Sequence, residues 1–552
     1  MNPPKVQLNE NIAVDVAPGT PIIDLFKHQL SDNEYSELLC IKNDRFASVN
    51  EPIEDNCHIS SGIHFHESHR RAYESAAIVI LAYLLETRLL RRDIIFQHSM
   101  ADGIFCETKD QRPINPVFIE TLEKEFRAVV EANIPILPVV LPRRKAIAQM
   151  HQRGMADTCA LLRQSTHSNF KFYQIDQTLV WLPNPPAGRT GLINLFEIMP
   201  YEHGFVIRFP VEGNLDQLQP FHDQKRLYEI FQETVRWGQI IDIMNVGHLN
   251  RLVDEKNISD MIKISEALQE KKVAAIADQI HARSHTARLV FISGPSSSGK
   301  TTFMKKLYIQ LRVLGHKIVM LSLDDYYKDR QQIIDEQGPN PNFEILEALD
   351  LDLLNDHLSR LLKGKPVNRP KYDFITGMKT FETKSTLTNN QTIFIIEGIH
   401  GINPGLTRDI PEAYKFKIYI SALIHINLDH YNRISTHDTR LIRRIVRDGK
   451  YRGYGAAQTI NIWKKVVEGE KKYIFRHQGK ADIMFNSALA YEIGVLRKYA
   501  DPFLKQVPAK DTSHPEACRL LDLLSYFRPI SDVEIPPTSI MREFIGNSSF
   551  KY

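Results

Sequence analysis

The sequence predicts an α/β fold for its C-terminal half, with a parallel sheet and helices on both faces, preceded by α+β domains and a helical connector. Three observations support this fold class. At 552 residues the chain is too long for one hydrophobic core. The largely apolar run ARLVFISG, from Ala287, is typical of a strand buried on both faces of a parallel sheet. Beyond it, apolar runs alternate with segments of helical periodicity.

The composition is that of an ordinary globular protein, with 43% hydrophobic and 24% charged residues. A formal net charge of +3 gives no global field that would draw the chain to nucleic acid or to an anionic membrane. The longest apolar run, from Ala76, is roughly half of a membrane span, and the polar N-terminus lacks the apolar core of a signal peptide. The five cysteines form no C-x-x-C pair, as is typical of a reducing compartment. We therefore expect a cytoplasmic protein without a membrane segment.

The chain divides where the sequence pattern changes. Residues 1–60 predict a small mixed domain, with strands at VQL and AVDV and a helix at PIIDLFKHQL. Residues 61–225 alternate helices with strands, and residues 226–285 have helical periodicity, which predicts a connector. Residues 286–500 form the predicted α/β domain. Residues 501–552 are a tail in which no chemistry is recognisable.

The segment GPSSSGKTT lies directly between a predicted strand and a predicted helix. Glycines at both ends of the loop allow backbone N–H groups to turn inward and cradle phosphate oxygens at a helix N-terminus. In this spacing the lysine reaches the β- and γ-phosphates, and the following threonine hydroxyl is placed to bind Mg²⁺. The sequence therefore predicts a nucleotide-binding loop, the alternative being a flexible serine-rich turn. Its expected binding residues are Gly294, Ser296, Ser297, Ser298, Gly299, Lys300, Thr301 and Thr302.

Two carboxylates follow predicted strands of the same sheet, Asp324 in LSLDDYYKD and Glu397 in TIFIIEGIHG. In a parallel sheet the carboxyl ends of the strands border the crevice in which ligands bind. There Asp324 can accept the proton of an attacking hydroxyl group, and Glu397, with Thr301, can hold Mg²⁺. For Asp324 the alternative is an acidic turn or a helix N-cap.

A predicted helix in THDTRLIRRIVRDGKYRGY carries four arginines at i, i+3, i+4 and i+7, which places them on one face: Arg440, Arg443, Arg444 and Arg447. Only Asp438 and Asp448 are nearby in the sequence. We therefore expect bound phosphates to neutralise this face, since arginine suits phosphoryl charge. A solvated basic face is the alternative.

In their order, the motifs GPSSSGKTT, LSLDDYYKD, NPNFEILEALDL, RPKYDFITG, IIEGIHG and TRLIRRIVRD resemble those of the uridine kinase/phosphoribulokinase family. The resemblance implies a P-loop kinase that uses ATP and Mg²⁺ and takes a nucleoside-like small molecule as acceptor. It implies that Asp324 is the general base and that Lys300 and Arg447 are catalytic. The implied substrate-binding residues are Glu344, Tyr327, Tyr372, Phe374, Arg444 and Arg452.

The sequence departs from the family at the acceptor side. The histidine that follows YDF in uridine kinases, and reads the pyrimidine edge, corresponds to Gly377 here. We expect this glycine to open space beside the base, with Lys379 as a replacement cation. The second arginine of the family's RGR motif is Tyr454. The transfer machinery is thus expected to be intact and the acceptor pocket altered.

Residues 8–60, with VDVAPGTPIIDLF, resemble the TGS domain of threonyl-tRNA synthetase, and residues from about 61 to 215, with QHSMADGIFCE and TGLINLFEI, are similar to its editing domain. Editing chemistry needs an H-x-x-x-H pair, but Tyr73 and Ala77 stand at those positions, and the loop LPNPPAGRTG lacks the required Cys and His. We expect an inactive scaffold or binding module. The irregular spacing of four other histidines favours a structural role: His58, His64, His66 and His69.

Two classes of function follow from these patterns. The first is a Mg·ATP-dependent kinase for a nucleoside or another small hydroxyl compound. The second is a nucleotide-switch binding protein associated with tRNA or the ribosome through its N-terminal domains, although the modest net charge disfavours RNA binding. A third class, an aminoacyl-tRNA trans-editing hydrolase, is strongly disfavoured by the missing histidines. Glu344 and YDF favour the kinase, because a switch needs no acceptor pocket.

Overall fold

The structure of the chain is a computed structural model that describes most of its residues. These are residues 3–8, 12–26, 38–61, 66–210, 217–338, 341–373, 376–386, 388–389, 391–424 and 426–551. Within these ranges no helix has the length and apolar character needed to cross a bilayer.

The N-terminal region is built on a five-stranded sheet of order β2-β1-β7-β4-β5, with a separate short pair β3–β6. Its elements are β1 Lys5–Leu8, β2 Ile12–Asp15, β3 Thr20–Pro21, α1 Ile22–Phe26, β4 Cys40–Lys42, β5 Arg45–Ala47, β6 Pro52–Ile53 and β7 Cys57–Ser61. The strands predicted at VQL and AVDV are confirmed as an antiparallel pair. The predicted helix begins at Ile22, and its continuation through KHQL lies outside the described residues.

The following region packs helices against two antiparallel sheets, β13-β14-β9-β8 and β10-β11-β12. Its helices are α2 His66–Thr87, α3 Pro116–Glu131, α4 Arg143–Gln152 and α5 Ala156–Gln164. Its strands are β8 Ile94–Met100, β9 Gly103–Thr108, β10 Leu137–Pro142, β11 Asn169–Ile175, β12 Thr178–Trp181, β13 Glu197–Tyr201 and β14 Gly204–Arg208. The longest apolar run of the chain forms the fully buried centre of α2, which explains its continuous hydrophobicity.

Three helices connect this region to the C-terminal half: α6 Lys225–Ile240, α7 Val246–Asp254 and α8 Ile258–Arg283. The predicted helical segment is therefore confirmed. Buried side chains of α8, including Val273, Ile276 and Ile280, belong to the same core cluster as buried residues of the C-terminal half. The connector is thus part of the packed core.

The C-terminal half contains a five-stranded parallel sheet of order β16-β19-β15-β20-β21, which confirms the predicted fold class. Its strands are β15 Leu289–Ser293, β16 Lys317–Ser322, β19 Thr392–Glu397, β20 Lys415–Ser421 and β21 Ile483–Asn486, with a hairpin of β17 Pro370–Asp373 and β18 Met378–Phe381. Its helices are α9 Lys300–Val313, α10 Arg330–Gln337, α11 Leu351–Leu362, α12 Thr436–Tyr451, α13 Ala456–Tyr473 and α14 Glu492–Lys505. Strands such as β19 (TIFIIE) are buried and largely apolar along their length because helices cover both faces of the sheet.

The tail forms α15 His514–Ser525 and α16 Arg542–Ile545, and it packs into the molecule. Ile540, Met541, Phe544 and Ile545 are fully buried. Their burial removes apolar surface from water, which is the dominant favourable contribution to folding. The buried residues of the tail therefore belong to the same core as the buried residues of α9 and α12.

Candidate active site

The phosphate-binding loop connects β15 to α9 at the carboxyl edge of the parallel sheet. Two of its glycines are required by geometry. Gly299 has φ +82°, which favours glycine, and a Cβ at Gly294 would lie 2.1 Å from the carbonyl oxygen of Ile420. α9 begins at Lys300, so the N–H groups of its first turn face the loop, as a phosphate-binding loop requires.

The donors of this loop are engaged by groups of the protein itself. Lys300 Nζ donates hydrogen bonds to the carbonyl oxygens of Gly294 (2.9 Å) and Pro295 (3.0 Å). Ser296 N donates to Oε1 of Glu470 (2.6 Å). Burial lowers the pKa of Lys300, while the charges of four carboxylates, Glu397, Asp324, Glu543 and Glu470, oppose that shift. The Lys300 ammonium group thus interacts with four negatively charged carboxylates.

Two of these carboxylates come from adjacent strands, as the sequence predicts. Ser322, the last residue of β16, pairs in register with Glu397, the last residue of β19, and Asp324 lies in the turn that follows β16. Burial, together with the nearby Asp324 charge, raises the pKa of Glu397 to about 7, while the charge of Lys300 opposes the shift. Desolvation by the surrounding protein also raises the pKa of Asp324, which lies at the exposed edge of the crevice, against the effect of Lys300. Both carboxyl groups are therefore poised to change protonation state when a cation or a substrate arrives.

The site contains oxygen ligands for Mg²⁺ without forming a complete metal cage. Among the described residues, no group of three or more His, Cys, Asp or Glu side chains could hold a metal ion. Mg²⁺ shared with nucleotide phosphates needs only one or two protein oxygens and keeps several waters. Glu397 and the Thr301 hydroxyl, in the first turn of α9, meet that smaller requirement.

The residues predicted to bind the acceptor lie next to these carboxylates. Burial raises the pKa of Glu344, and the charges of Glu470 and Asp324 raise it further while Arg444 and Lys300 lower it. Tyr327 and Tyr372 face each other with ring centroids 5.7 Å apart. The fourth predicted residue, Phe374, lies outside the described residues. A carboxyl group and an aromatic wall therefore share one side of the crevice.

The expectation of open space at Gly377 is wrong. Gly377 has φ +74°, and a Cβ there would lie 2.7 Å from Cβ of Arg330, whose side chain covers this position. Arg330 N also donates to the Gly377 carbonyl oxygen (2.8 Å). Arg330 was missed by the sequence analysis because nothing in its local pattern distinguishes it from a solvated helix-start arginine.

The expectation that Lys379 offers a replacement cation is also corrected. Its Nζ forms an ion pair with Oδ2 of Asp350 at 2.5 Å, and its backbone N–H donates to Oδ1 of Asp329 (2.7 Å). The Lys379 side chain is only 12% exposed. Its charge is therefore used within the protein.

The arginine face of α12 is neutralised mainly by carboxylates of the protein, where the sequence predicted bound phosphates. Arg440 pairs with Glu470, and Arg443, fully buried, pairs with Glu492 at 2.6 Å. Asp438 instead pairs with Arg519 at 2.7 Å. These partners come from distant parts of the chain, so local sequence could not identify them.

The three arginines predicted to contact substrate share a single carboxylate. Arg444 and Arg447 lie 3.1 Å from Asp448, and Arg452 lies 3.5 Å from it. Arg444 Nη1 also donates to Ser296 Oγ of the phosphate-binding loop (3.0 Å). Three positive charges against one negative charge leave a positive surplus beside the loop, where phosphate charge is expected.

Tyr73 and Ala77, the positions that the predicted resemblance aligns with editing histidines, lie in the hydrophobic core. Ala77 is fully buried, and Tyr73 is buried with its hydroxyl donating to the Leu195 carbonyl oxygen (2.8 Å). The loop LPNPPAGRTG packs against α2, where Ala187 N donates to the Ala72 carbonyl oxygen (3.0 Å). These side chains serve packing.

Comparison with known proteins agrees with this geometry. The model of the phosphoribulokinase / uridine kinase family matches residues 289–493. The uridine kinase of Staphylococcus epidermidis is 31% identical over 197 residues, 36% of this chain and 86% of the relative. The uridine kinase of Bacillus subtilis is 31% identical over 179 residues, 32% of this chain and 75% of the relative. A solved structure of a possible uridine kinase from Bacillus stearothermophilus is 20% identical, covers 39% of this chain and 98% of its own, and has a TM-score of 0.27, too low to carry weight.

A strand–glycine loop–helix unit with carboxylates at the carboxyl edge of the same sheet defines a P-loop nucleotide-binding fold. The chain belongs to the phosphoribulokinase / uridine kinase family. The likeness covers its C-terminal half, and the resemblance of the N-terminal half to synthetase domains stays a prediction.

Proposed function

We propose that the chain transfers the γ-phosphoryl group of Mg·ATP to a hydroxyl group of a nucleoside or a related ribose-like small molecule. The observation that carries the proposal is that the carboxyl groups of Asp324, Glu397 and Glu344 all lie close enough to Lys300 for a charge–charge interaction with it. A nucleotide switch needs the loop and a Mg²⁺ ligand, but it has no use for a further carboxyl group beside an aromatic wall. The relatives named uridine kinase support the same class of reaction.

The phosphate-binding loop is proposed to hold the nucleotide. Backbone N–H groups between Gly294 and Thr302 cradle the phosphates, and Lys300 leaves its carbonyl partners to reach the β- and γ-phosphates. Thr301 and Glu397 would hold Mg²⁺, which when bound neutralises charge on these phosphates. A nearby cation favours the ionised form of Glu397, so this carboxyl group loses its proton as the complex forms.

Asp324 is proposed as the general base. Its carboxylate takes the proton of the acceptor hydroxyl, whose oxygen bonds to the γ-phosphorus as the bond to the β,γ-bridging oxygen breaks and ADP leaves. The raised pKa of Asp324 makes it a stronger base than an ordinary aspartate. The surplus positive charge of Arg444, Arg447 and Arg452 stabilises charge on the transferring group.

Glu344 is proposed to grip a diol of the acceptor, with Tyr327, Tyr372 and Phe374 forming the wall of the pocket. Glu344 lies close enough to Asp324 for the Asp324 charge to raise the pKa of the Glu344 carboxyl group. An acceptor held by Glu344 therefore presents its hydroxyl group near the base. Proximity of this kind supplies a large part of enzymatic rate enhancement.

The N-terminal half is proposed to act as a scaffold for the kinase half. The segment 426–435 leads into α12 and is held by the N-terminal half through several polar contacts. Thr158 Oγ1 donates to Oδ2 of Asp429 (2.7 Å), Asn432 Nδ2 donates to the Trp181 carbonyl oxygen (2.9 Å), and Arg433 pairs with Glu74 (2.7 Å). These contacts fix the start of the helix that carries the phosphate-facing arginines.

An ATP-consumption screen against nucleosides, sugars and polyols tests the proposed function. We expect turnover with at least one ribose-containing acceptor and none with Lys300→Ala. Turnover that is equal in both chains would contradict the proposal, because the activity would then come from elsewhere.

A further inference from the structure

The C-terminal helix α16 lies directly against the phosphate-binding loop. Thr302 donates two hydrogen bonds to Oε2 of Glu543, one from its backbone N–H (3.2 Å) and one from its hydroxyl (2.6 Å). A Cβ on Gly299 would lie 2.7 Å from Cγ2 of Ile540, so the tail also touches the backbone of the loop. The tail therefore covers the first turn of α9.

The Glu543 carboxylate is an anion held by donors that nucleotide phosphates use. Backbone N–H groups at a helix N-terminus favour negative charge, and those of a phosphate-binding loop cradle the α- and β-phosphates. Carboxylate and phosphate oxygens are both strong acceptors for such donors. The two hydrogen bonds from Thr302 cannot serve both anions at full strength, and the anions also repel each other. Glu543 and the nucleotide therefore compete for the same place.

The backbone of α16 is anchored independently of this contact. Met541, Phe544 and Ile545 are fully buried, and the Arg443 guanidinium lies 4.9 Å from the centre of the Phe544 ring. Arg542 Nη2 donates to the carbonyl oxygens of Asp532 (2.8 Å) and Ile535 (2.7 Å). Glu543, in contrast, is only half-buried. Rotation of one side chain is thus enough to free Thr302 while the helix stays in place.

We propose that the C-terminal segment is an autoinhibitory element in which Glu543 occupies the phosphate donors of Thr302 and must swing away before a nucleoside triphosphate binds. The proposal rests on the proposed function, since it requires the loop to bind nucleotide. Removing the Glu543 carboxylate should tighten Mg·ATP binding by about tenfold, the strength of a charge-assisted hydrogen bond. Because the contact is made to the nucleotide site, relief should lower KM for ATP and leave kcat nearly unchanged.

The experiment measures Mg·ATP binding to the full chain by isothermal titration calorimetry. The variants are Glu543→Ala, which removes the carboxylate, and Glu543→Asp, which keeps the charge but withdraws it by one methylene. Glu534→Gln is the matched control, because Glu534 lies in the same tail but contacts Ser259 and Lys263. We expect both Glu543 variants to bind more tightly than the native chain and Glu534→Gln to bind equally.

Lys300→Ala separates this proposal from the proposed function. If Glu543→Ala binds like the native chain while Lys300→Ala loses binding, the nucleotide site stands and autoinhibition is wrong. If Mg·ATP binds to none of the chains, both proposals fall. If Glu543→Ala binds Mg·ATP tightly and Glu543→Asp binds it like the native chain, direct competition for the donors of Thr302 is wrong. Charge repulsion would then be the whole effect of Glu543. If circular dichroism shows that Glu543→Ala is misfolded, the nearly isosteric variant Glu543→Gln is measured in its place. This variant is also expected to bind Mg·ATP more tightly than the native chain.

Discussion

The kinase half and the N-terminal half use their buried polar groups for different purposes. In the kinase half, Lys300, Asp324 and Glu397 converge at the carboxyl edge of a parallel sheet, and burial shifts the pKa of each of them. In the N-terminal half, Tyr73 and Ala77, which the predicted resemblance aligns with editing histidines, lie inside the core. Its polar groups, such as Thr158 and Glu74, bind the segment that precedes α12.

This difference identifies which buried charges belong to chemistry. Charges that face one another in a crevice with shifted pKa values are available to a ligand, whereas charges paired across an interface with good geometry are already satisfied. The Arg519–Asp438 pair, at 2.7 Å and nearly buried, is of the second kind. The three arginines that share Asp448 are also available to a ligand, because one carboxylate cannot neutralise them.

The largest expected effect is that of Lys300→Ala. Removing the cation that is proposed to contact the β- and γ-phosphates should lower phosphoryl transfer by at least about 10³-fold while leaving the fold intact. Steady-state turnover with the best acceptor measures the loss, and Lys317→Ala, at the exposed start of β16, is the control. Native turnover by Lys300→Ala would contradict the view that the buried charges of the kinase half are used for chemistry and those of the N-terminal half for packing.

Asp324→Asn should lower kcat by roughly two to four orders of magnitude, since it removes the general base and keeps the nucleotide contacts. Asp325→Asn is the matched control, because the Asp325 carboxylate accepts a hydrogen bond from the backbone of Tyr372 (3.4 Å). The two kcat values and the KM for ATP are compared. A larger loss in Asp325→Asn would mean that the base has been assigned to the wrong aspartate.

The fold was largely predictable from the sequence, and the site was predictable only in part. The run ARLVFISG with GPSSSGKTT predicts strand, loop and helix because these signals are local. Glu470, Glu492 and Glu543 could not be found in this way, since each meets its partner through tertiary packing. Gly377 was misread for the same reason, because the Arg330 side chain that fills the space comes from a distant part of the chain.

Breaking the interface should reduce stability rather than chemistry. The Arg433–Glu74 pair is mostly buried, with side chains 14% and 12% exposed, and Glu74 also pairs with Arg70 (3.1 Å), so Arg433→Ala should lower the free energy of unfolding by about 1.5–3 kcal/mol. Arg45→Ala is the control, because its pair with Asp522 is exposed and should contribute less than about 1 kcal/mol. Urea unfolding measures both. Equal losses would contradict the view that the N-terminal half is a scaffold held by buried pairs.

The rate should depend on pH through the carboxyl groups of the crevice. Asp324 acts as a base and Glu397 as a metal ligand only when ionised, and the pKa of each is raised, that of Glu397 to about 7. Activity is therefore present above these pKa values and is lost as pH falls through them. We expect kcat/KM for ATP to decline below about pH 7 and to decline less steeply in Asp324→Asn. A flat profile down to pH 5 would contradict the assignment of both carboxyl groups.

The smallest expected effect concerns the choice between pyrimidine nucleosides. Gly377 carries no side chain to read the base edge, and Lys379 is paired with Asp350 at 2.5 Å. A site that lacks a specific hydrogen bond loses much of its power to discriminate, so kcat/KM for uridine and cytidine should differ by less than about tenfold. The Arg330 side chain packs over Gly377, so Arg330→Lys should change the uridine-to-cytidine ratio more than it changes kcat. Values of kcat/KM are measured for uridine and cytidine, with a purine nucleoside and a polyol in parallel. A strong preference for uridine that survives Arg330→Lys would mean that a residue elsewhere in the pocket reads the base.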